Sequence, residues 1–102
     1  MDHFKADPDQ ACGSHLQASF TAPYSKVVEV FGAPHSEGDG YKIDAEWYIE
    51  FDDGTFATIY NYKDGKNYNG ADGLPVEEIT DWHIGGFNWQ AGQRVHKAMG
   101  VI

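Results

Sequence analysis

The chain is poor in positive charge and in cysteine, and it contains no long apolar run. Its 102 residues include 7 Lys and Arg together, and Arg94 is the only arginine. Proteins that hold a polyanion neutralise its phosphates with clustered Lys and Arg, so nucleic acid and anionic membrane are poor direct partners. A transmembrane helix needs about 18 consecutive apolar residues, and no stretch approaches that. The acidic, polar start MDHFKADPDQA is also unlike a secretory signal, which is basic and then apolar. A lone cysteine, Cys12, cannot close an internal disulfide, which fits a reducing compartment. The expectation is a soluble, cytoplasmic protein.

What is present points to one folded domain. Apolar residues make up 41% of the chain, with three Trp, six Tyr and six Phe, more than a disordered chain carries. The length suits a single core. Residues 1–11 hold little to bury and include a proline, so they read as a flexible leader to a domain spanning 12–102. Residues 16–20 alternate as a strand does, and Tyr24, Val27, Val28 and Phe31 recur at helical spacing before Gly32 and Pro34 stop the helix. In Asp44–Tyr62 two β-rich runs flank Asp52-Asp53-Gly54, the pattern of a hairpin. A three-residue loop with Gly54 left-handed pairs Trp47 with Ile59 and Ile49 with Ala57, collecting Ala45, Trp47, Ile49, Phe51, Ala57 and Ile59 on one face. A slip of one residue would put that set in water. Residues 63–74, with three glycines, read as a long loop, and 78–84 as a further strand broken by Gly85-Gly86. Asn88 can cap a last helix carrying Ala91, Val95, Ala98 and Met99 on one stripe, with Gly100 as its stop. The predicted fold is α+β, an antiparallel sheet of three to four strands with two helices, 22–31 and the C-terminal one, packed on the Trp47 face.

The same register puts Asp44, Glu46, Tyr48, Glu50, Phe56, Tyr60 and Tyr62 on the opposite face, with Thr58 among them. Two readings stand for this lattice of rings and carboxylates: a half-covered sheet face with its rings under a loop or the last helix, or, since aromatic residues are enriched at binding hot spots, the candidate partner-binding surface. A second candidate is a small-ligand pocket around Trp82, His83 and Lys63, next to the double glycine. Other motifs point to less. Cys12 and His15 have a ligand-like spacing, but a zinc site takes three or four ligands, so no metal and no cofactor is expected. Asp52 and Asp53 sit where turns use Asp to bond backbone amides. The glycines of 65–73 lack the phosphate-loop pattern. No pair of residues has a spacing that demands catalysis, so the chain reads as a binding protein and not an enzyme.

Phe31-Gly32-Ala33-Pro34, Asp44-Ala45-Glu46-Trp47, Asp53-Gly54, the run ATIYNYK at 57–63 and Trp82-His83-Ile84-Gly85-Gly86 together resemble small uncharacterised proteins of tailed bacteriophages and prophages. The likeness spans residues 12–86. It implies an anti-defence context in the host-cell cytoplasm and assigns no catalytic residue. In that context a net charge of -9 suits an acidic DNA mimic of the anti-CRISPR or anti-restriction type. Such a protein would occlude the nucleic-acid site of a host nucleic-acid-handling protein with a basic surface, since complementary charge steers association. The alternative is a sequestering protein for a nucleotide signal, in which Tyr60, Tyr62, Trp82 and His83 stack a base and Lys42, Lys63, Lys66 and Arg94 meet phosphate. Unpaired sheet edges make a homodimer an expectation as well.

Overall fold

Alternation of large apolar and polar side chains in Glu46-Trp47-Tyr48-Ile49-Glu50-Phe51 fixes one strand, because every second side chain must leave water. In the computed structural model, which describes residues 3–38 and 40–100, this strand is β3 (Glu46–Phe51). It forms a hairpin with β4 (Phe56–Tyr60) in the expected register, Trp47 opposite Ile59 and Ile49 opposite Ala57. The turn closes through the Phe51 N–H donating to the Thr55 carbonyl at 2.9 Å. Gly54 takes φ 86°, a conformation that costs other residues about 1–2 kcal/mol.

The remaining strands are β1 (His3–Lys5), β2 (His15–Thr21) and β5 (Asp81–Gly86), and the helices are α1 (Tyr24–Phe31), α2 (Lys66–Asn69) and α3 (Gln90–Met99). All neighbours in the sheet run antiparallel, in the order β1-β3-β4-β5-β2. Among the described residues the fold is therefore α+β with five strands and three α-helices, where the sequence suggested three to four strands and two helices. Residues 1–11, expected as a leader outside the domain, supply the additional strand: His3–Lys5 pairs with Ile49–Phe51, and Pro8–Ala11 forms a turn of 3-10 helix. That strand escapes the sequence because its ladder bonds to β3 need no apolar period. Among the described residues no helix is long and apolar enough to cross a membrane.

One face of the sheet carries the core. Trp47, Ile49, Phe51, Ala57, Ile59, Trp82 and Ile84 lie there beneath Val27 and Phe31 of α1 and Ala91, Val95 and Met99 of α3, all of them buried. The rings of Trp47 and Trp82 meet edge to face at 5.4 Å. Each indole N–H donates 2.9 Å to a carbonyl flanking α1, Trp47 to Gly32 and Trp82 to Ala22. Two sheet residues thus bond a carbonyl on either side of α1, that of Gly32 being one that a helix leaves unpaired at its C-terminus, and fix α1 across the sheet. Gly85 and Gly86 do not break β5; both lie inside it. A Cβ on Gly86 would run into the Ala91 side chain of α3, so this glycine sets the close approach of helix to sheet.

Candidate functional site

β1 and β2 occupy opposite edges of the sheet, so the chain joining them has to cross a face. It crosses the face opposite the helices. On this second face Phe56 and Thr58 are buried, and Gln10 of the 3-10 turn donates to the Glu50 carboxylate at 3.4 Å. Ala11 and Ser14 wall a cleft together with Thr58 and Tyr60. Phe87 closes over Phe56, ring to ring at 5.8 Å. The strap leaves the other half of the face more open, where Glu46, Tyr48 and Tyr60 are half-buried and Tyr62 is exposed.

The candidate partner-binding residues therefore divide. Glu46, Tyr48, Glu50 and Tyr60 share the second face by register, and Tyr62 continues it through its contact with His83. Phe56 shares the face but is covered. Asp44 is not presented outward: it precedes β3 and its carboxylate is turned into a buried hub. The amide of Asn61, fully buried, accepts from the Asp44 and Ala45 N–H groups at 2.7 and 3.1 Å and donates to both Asp44 and Asp64 at 2.9 Å. The second Asp44 oxygen accepts from the Asn67 N–H at 3.1 Å. A Cβ on Gly65 would strike the Asp44 carboxylate, so this glycine lets the 61–69 loop close on the 42–45 segment.

The proposed pocket of Trp82, His83 and Lys63 does not form. Consecutive side chains on a strand point to opposite faces, and Trp82 is in the core while His83 packs on the second face against Tyr60 at 5.5 Å and Tyr62 at 5.7 Å. Lys63 does lie near His83, with its ammonium 5.3 Å from the Tyr62 ring centroid. Cys12 is exposed with a free thiol. Among the described residues no three His, Cys, Asp or Glu side chains are grouped to hold a metal.

No family model, curated protein or solved structure matches the chain. The functional reading therefore rests on charge and geometry.

Glu46 dominates the electrostatics of the open half. It accepts from the Tyr48 hydroxyl at 2.9 Å and lies opposite Tyr60. Burial pushes both phenols above the usual tyrosine range, and the Glu46 charge pushes them further. Both stay neutral donors at physiological pH. At the hairpin end Arg94 of α3 reaches the turn, 2.7 Å from Asp52 and 3.7 Å from Asp53, with its guanidinium 5.0 Å from the Phe51 ring centroid. The Asp53 carboxylate is held below its usual range mainly by the Thr55 N–H that donates to it.

His35 holds the exposed edge of β3 where β1 stops. Its Nδ1 accepts from the Tyr48 N–H at 3.0 Å, and its own N–H donates to the Glu46 carbonyl at 3.0 Å. The side chain thus stands in for a missing strand partner. Burial and then the Lys5 charge lower its pKa from the ordinary 6.5, and a protonated Nδ1 has no lone pair to accept with. The unfolded chain takes up a proton near pH 6.5 that folded His35 resists, so its contribution is complete above that pH and declines as pH falls toward the folded value. In urea titrations between neutral pH and pH 5 we expect wild type to lose stability relative to His35→Asn, which keeps an acceptor without titrating. Parallel pH profiles for the two proteins would contradict this role.

Proposed function

We propose that the chain is an acidic binding protein that occupies a basic nucleic-acid site on a host defence protein, as anti-restriction and anti-CRISPR inhibitors do. The supporting observation is the set of carboxylates at the hairpin end of the sheet. Gln10 bonds both the Asp7 N–H and the Glu50 carboxylate, which brings the strap, with exposed Asp7 and Asp9, beside Glu50 and the exposed turn residues Asp52 and Asp53. Asp9 N–H is held by the Asp7 carboxylate at 3.0 Å, and Asp52 and Asp53 are held by Arg94 and Thr55. Carboxylates fixed in place lose little entropy when they meet a cationic surface. The only arginine is engaged within this group, and the excess charge remains negative. Glu46, Tyr48 and Tyr60 extend the surface along the same face with phenol groups that combine contact area and hydrogen bonding.

The test is direct binding to purified restriction and RNA-guided nuclease complexes of the host at physiological salt. One complex is expected to bind, more tightly at lower salt. Glu50→Lys combined with Asp9→Lys is expected to weaken it by about 10-fold or more, because like charges then face each other. Binding to none of the complexes, or binding that the double variant leaves unchanged, would overturn the reading.

A further inference from the structure

The loops that follow β4 and precede β3 gather a group of side chains unlike the acidic hairpin end. Tyr41, Tyr62 and Tyr68 are 56%, 41% and 38% exposed. The Lys42 ammonium lies 5.6 Å from the Tyr41 ring centroid and 5.8 Å from that of Tyr62; the Lys63 ammonium lies 5.3 Å from Tyr62 and 5.4 Å from Tyr68. The rings of Tyr41 and Tyr68 meet at 5.2 Å, and Tyr62 lies against His83, their planes 30° apart. The two lysines are joined through the backbone, Lys63 N–H to the Lys42 carbonyl at 2.8 Å. Lys63 adopts φ 62°, a costly conformation for a residue with a Cβ. Its carbonyl accepts from the Asn69 amide at 2.9 Å.

Asp44 and Asp64 turn inward to the Asn61 amide, while the lysine heads lie over tyrosine rings. Beside Tyr62 a cleft of ≈380 Å³ opens, walled by Tyr60, Leu16, Ile43 and the Glu46 side chain. Gly85, opposite both Thr58 and Leu16 in the sheet, contributes no side chain to its floor. A flat aromatic ring fits between such walls, and an anionic group on that ring would emerge at the lysines.

We propose that this cluster is a binding site for a single nucleotide, its base stacked on Tyr62 within the cleft and its phosphate at Lys42 and Lys63. Bases stack on exposed aromatic side chains whatever their identity, and lysine is a common phosphate ligand. A polymer is disfavoured: the exposed carboxylates of Asp72, Glu77, Glu78 and Asp81 follow in the adjoining segments and would repel successive phosphates. Of the residues that the sequence grouped for a nucleotide, the fold brings together Tyr60, Tyr62, His83, Lys42 and Lys63. It removes Trp82 to the core and Arg94 to the hairpin turn. The carboxylates proposed to meet a partner protein lie at the hairpin end of the sheet, and the two surfaces meet at Glu46 and Tyr60, which wall this cleft.

The test is an NMR titration of the full chain with AMP, GMP, CMP and UMP, alongside adenosine, inorganic phosphate and a single-stranded oligonucleotide. At least one mononucleotide is expected to bind at millimolar concentration or below and to shift the ring signals of Tyr62 and Tyr68. Adenosine and phosphate alone should bind more weakly than the mononucleotides. Tyr62→Ala is expected to weaken affinity by about 5- to 100-fold, and Lys42→Gln with Lys63→Gln to weaken nucleotide binding while leaving any binding of adenosine unchanged. These side chains are at the surface, so unchanged amide spectra elsewhere verify folding. No shift with any mononucleotide, shifts insensitive to the lysine variants, or tighter binding of the oligonucleotide than of every mononucleotide would each overturn the proposal.

Discussion

Replacing Trp47 with alanine is expected to cost about 3–5 kcal/mol in urea unfolding, the range for deleting a fully buried large aromatic side chain. Small domains have only about 5–15 kcal/mol in all, so the variant should be close to unfolding at room temperature. The size follows from two roles in one residue: a buried ring against Trp82 and an N–H that satisfies the Gly32 carbonyl where α1 ends. Trp47→Phe separates them. It keeps most of the apolar volume and leaves that carbonyl without its donor, at a cost of about 1–3 kcal/mol. Because Trp82 performs the same service at Ala22, and the two rings touch, the Phe variants are expected to be non-additive in a double-mutant cycle. A loss below about 1 kcal/mol for Trp47→Ala would show that α1 is not held by the sheet in this way.

Asn61→Ala is expected to be as damaging, by about 3 kcal/mol or more, although it removes only a small polar group. All four hydrogen bonds of the amide are internal, and each buried group left unpaired costs about 1–3 kcal/mol. The consequences should be local as well as global. Amide hydrogen exchange is expected to rise first across 42–45 and 61–69, and the tyrosine–lysine cluster should disperse, because its loops are tied to each other through this amide. Asn61→Asp gives a sharper test. It replaces the donor with an oxygen facing the Asp44 and Asp64 carboxylates, so the protein should be weakest at neutral pH. It should regain stability as pH falls and one carboxyl takes up the shared proton, since a carboxyl with a raised folded pKa stabilises on the acid side. Stability of this variant that declined with acid, as in wild type, would contradict the arrangement.

The hairpin was legible because two constraints agree: Gly54 accepts the left-handed position of a three-residue turn, and the register it imposes is the one that buries Trp47, Ile49, Phe51, Ala57 and Ile59 together. Asn61 was legible in principle. Continuing the inward positions 57 and 59 by two places a polar amide inside, which demands partners, and only the fold shows that they come from 44, 45 and 64. The strap was not legible, since no side-chain period announces His3–Lys5, and the partners of its one inward ring, His3, are the distant Val30, Phe31 and Phe51. Cover of the second face's rings by a loop or helix is one of the two readings of the sequence, and register alone does not decide which ring, here Phe56, is covered. The double glycine misled because glycine signals a break only where nothing packs against it; here α3 does. Tyr41 and Tyr68 lie far apart in the chain with no shared period, so their meeting is a product of the loops alone. Trp82 and His83 were grouped by adjacency, and on a strand adjacency separates side chains to opposite faces.

In the proposed inhibitor the carboxylates of this sheet take the place of nucleic-acid phosphates on a basic surface. The most direct measurement is a competition titration. A host defence nuclease that binds the chain is loaded with labelled target nucleic acid, and the chain is added in increasing amount. Displacement of the nucleic acid is expected at equimolar protein, weakened by Glu50→Lys with Asp9→Lys. A ternary complex in which the nuclease holds both the chain and its nucleic acid undisturbed would contradict it.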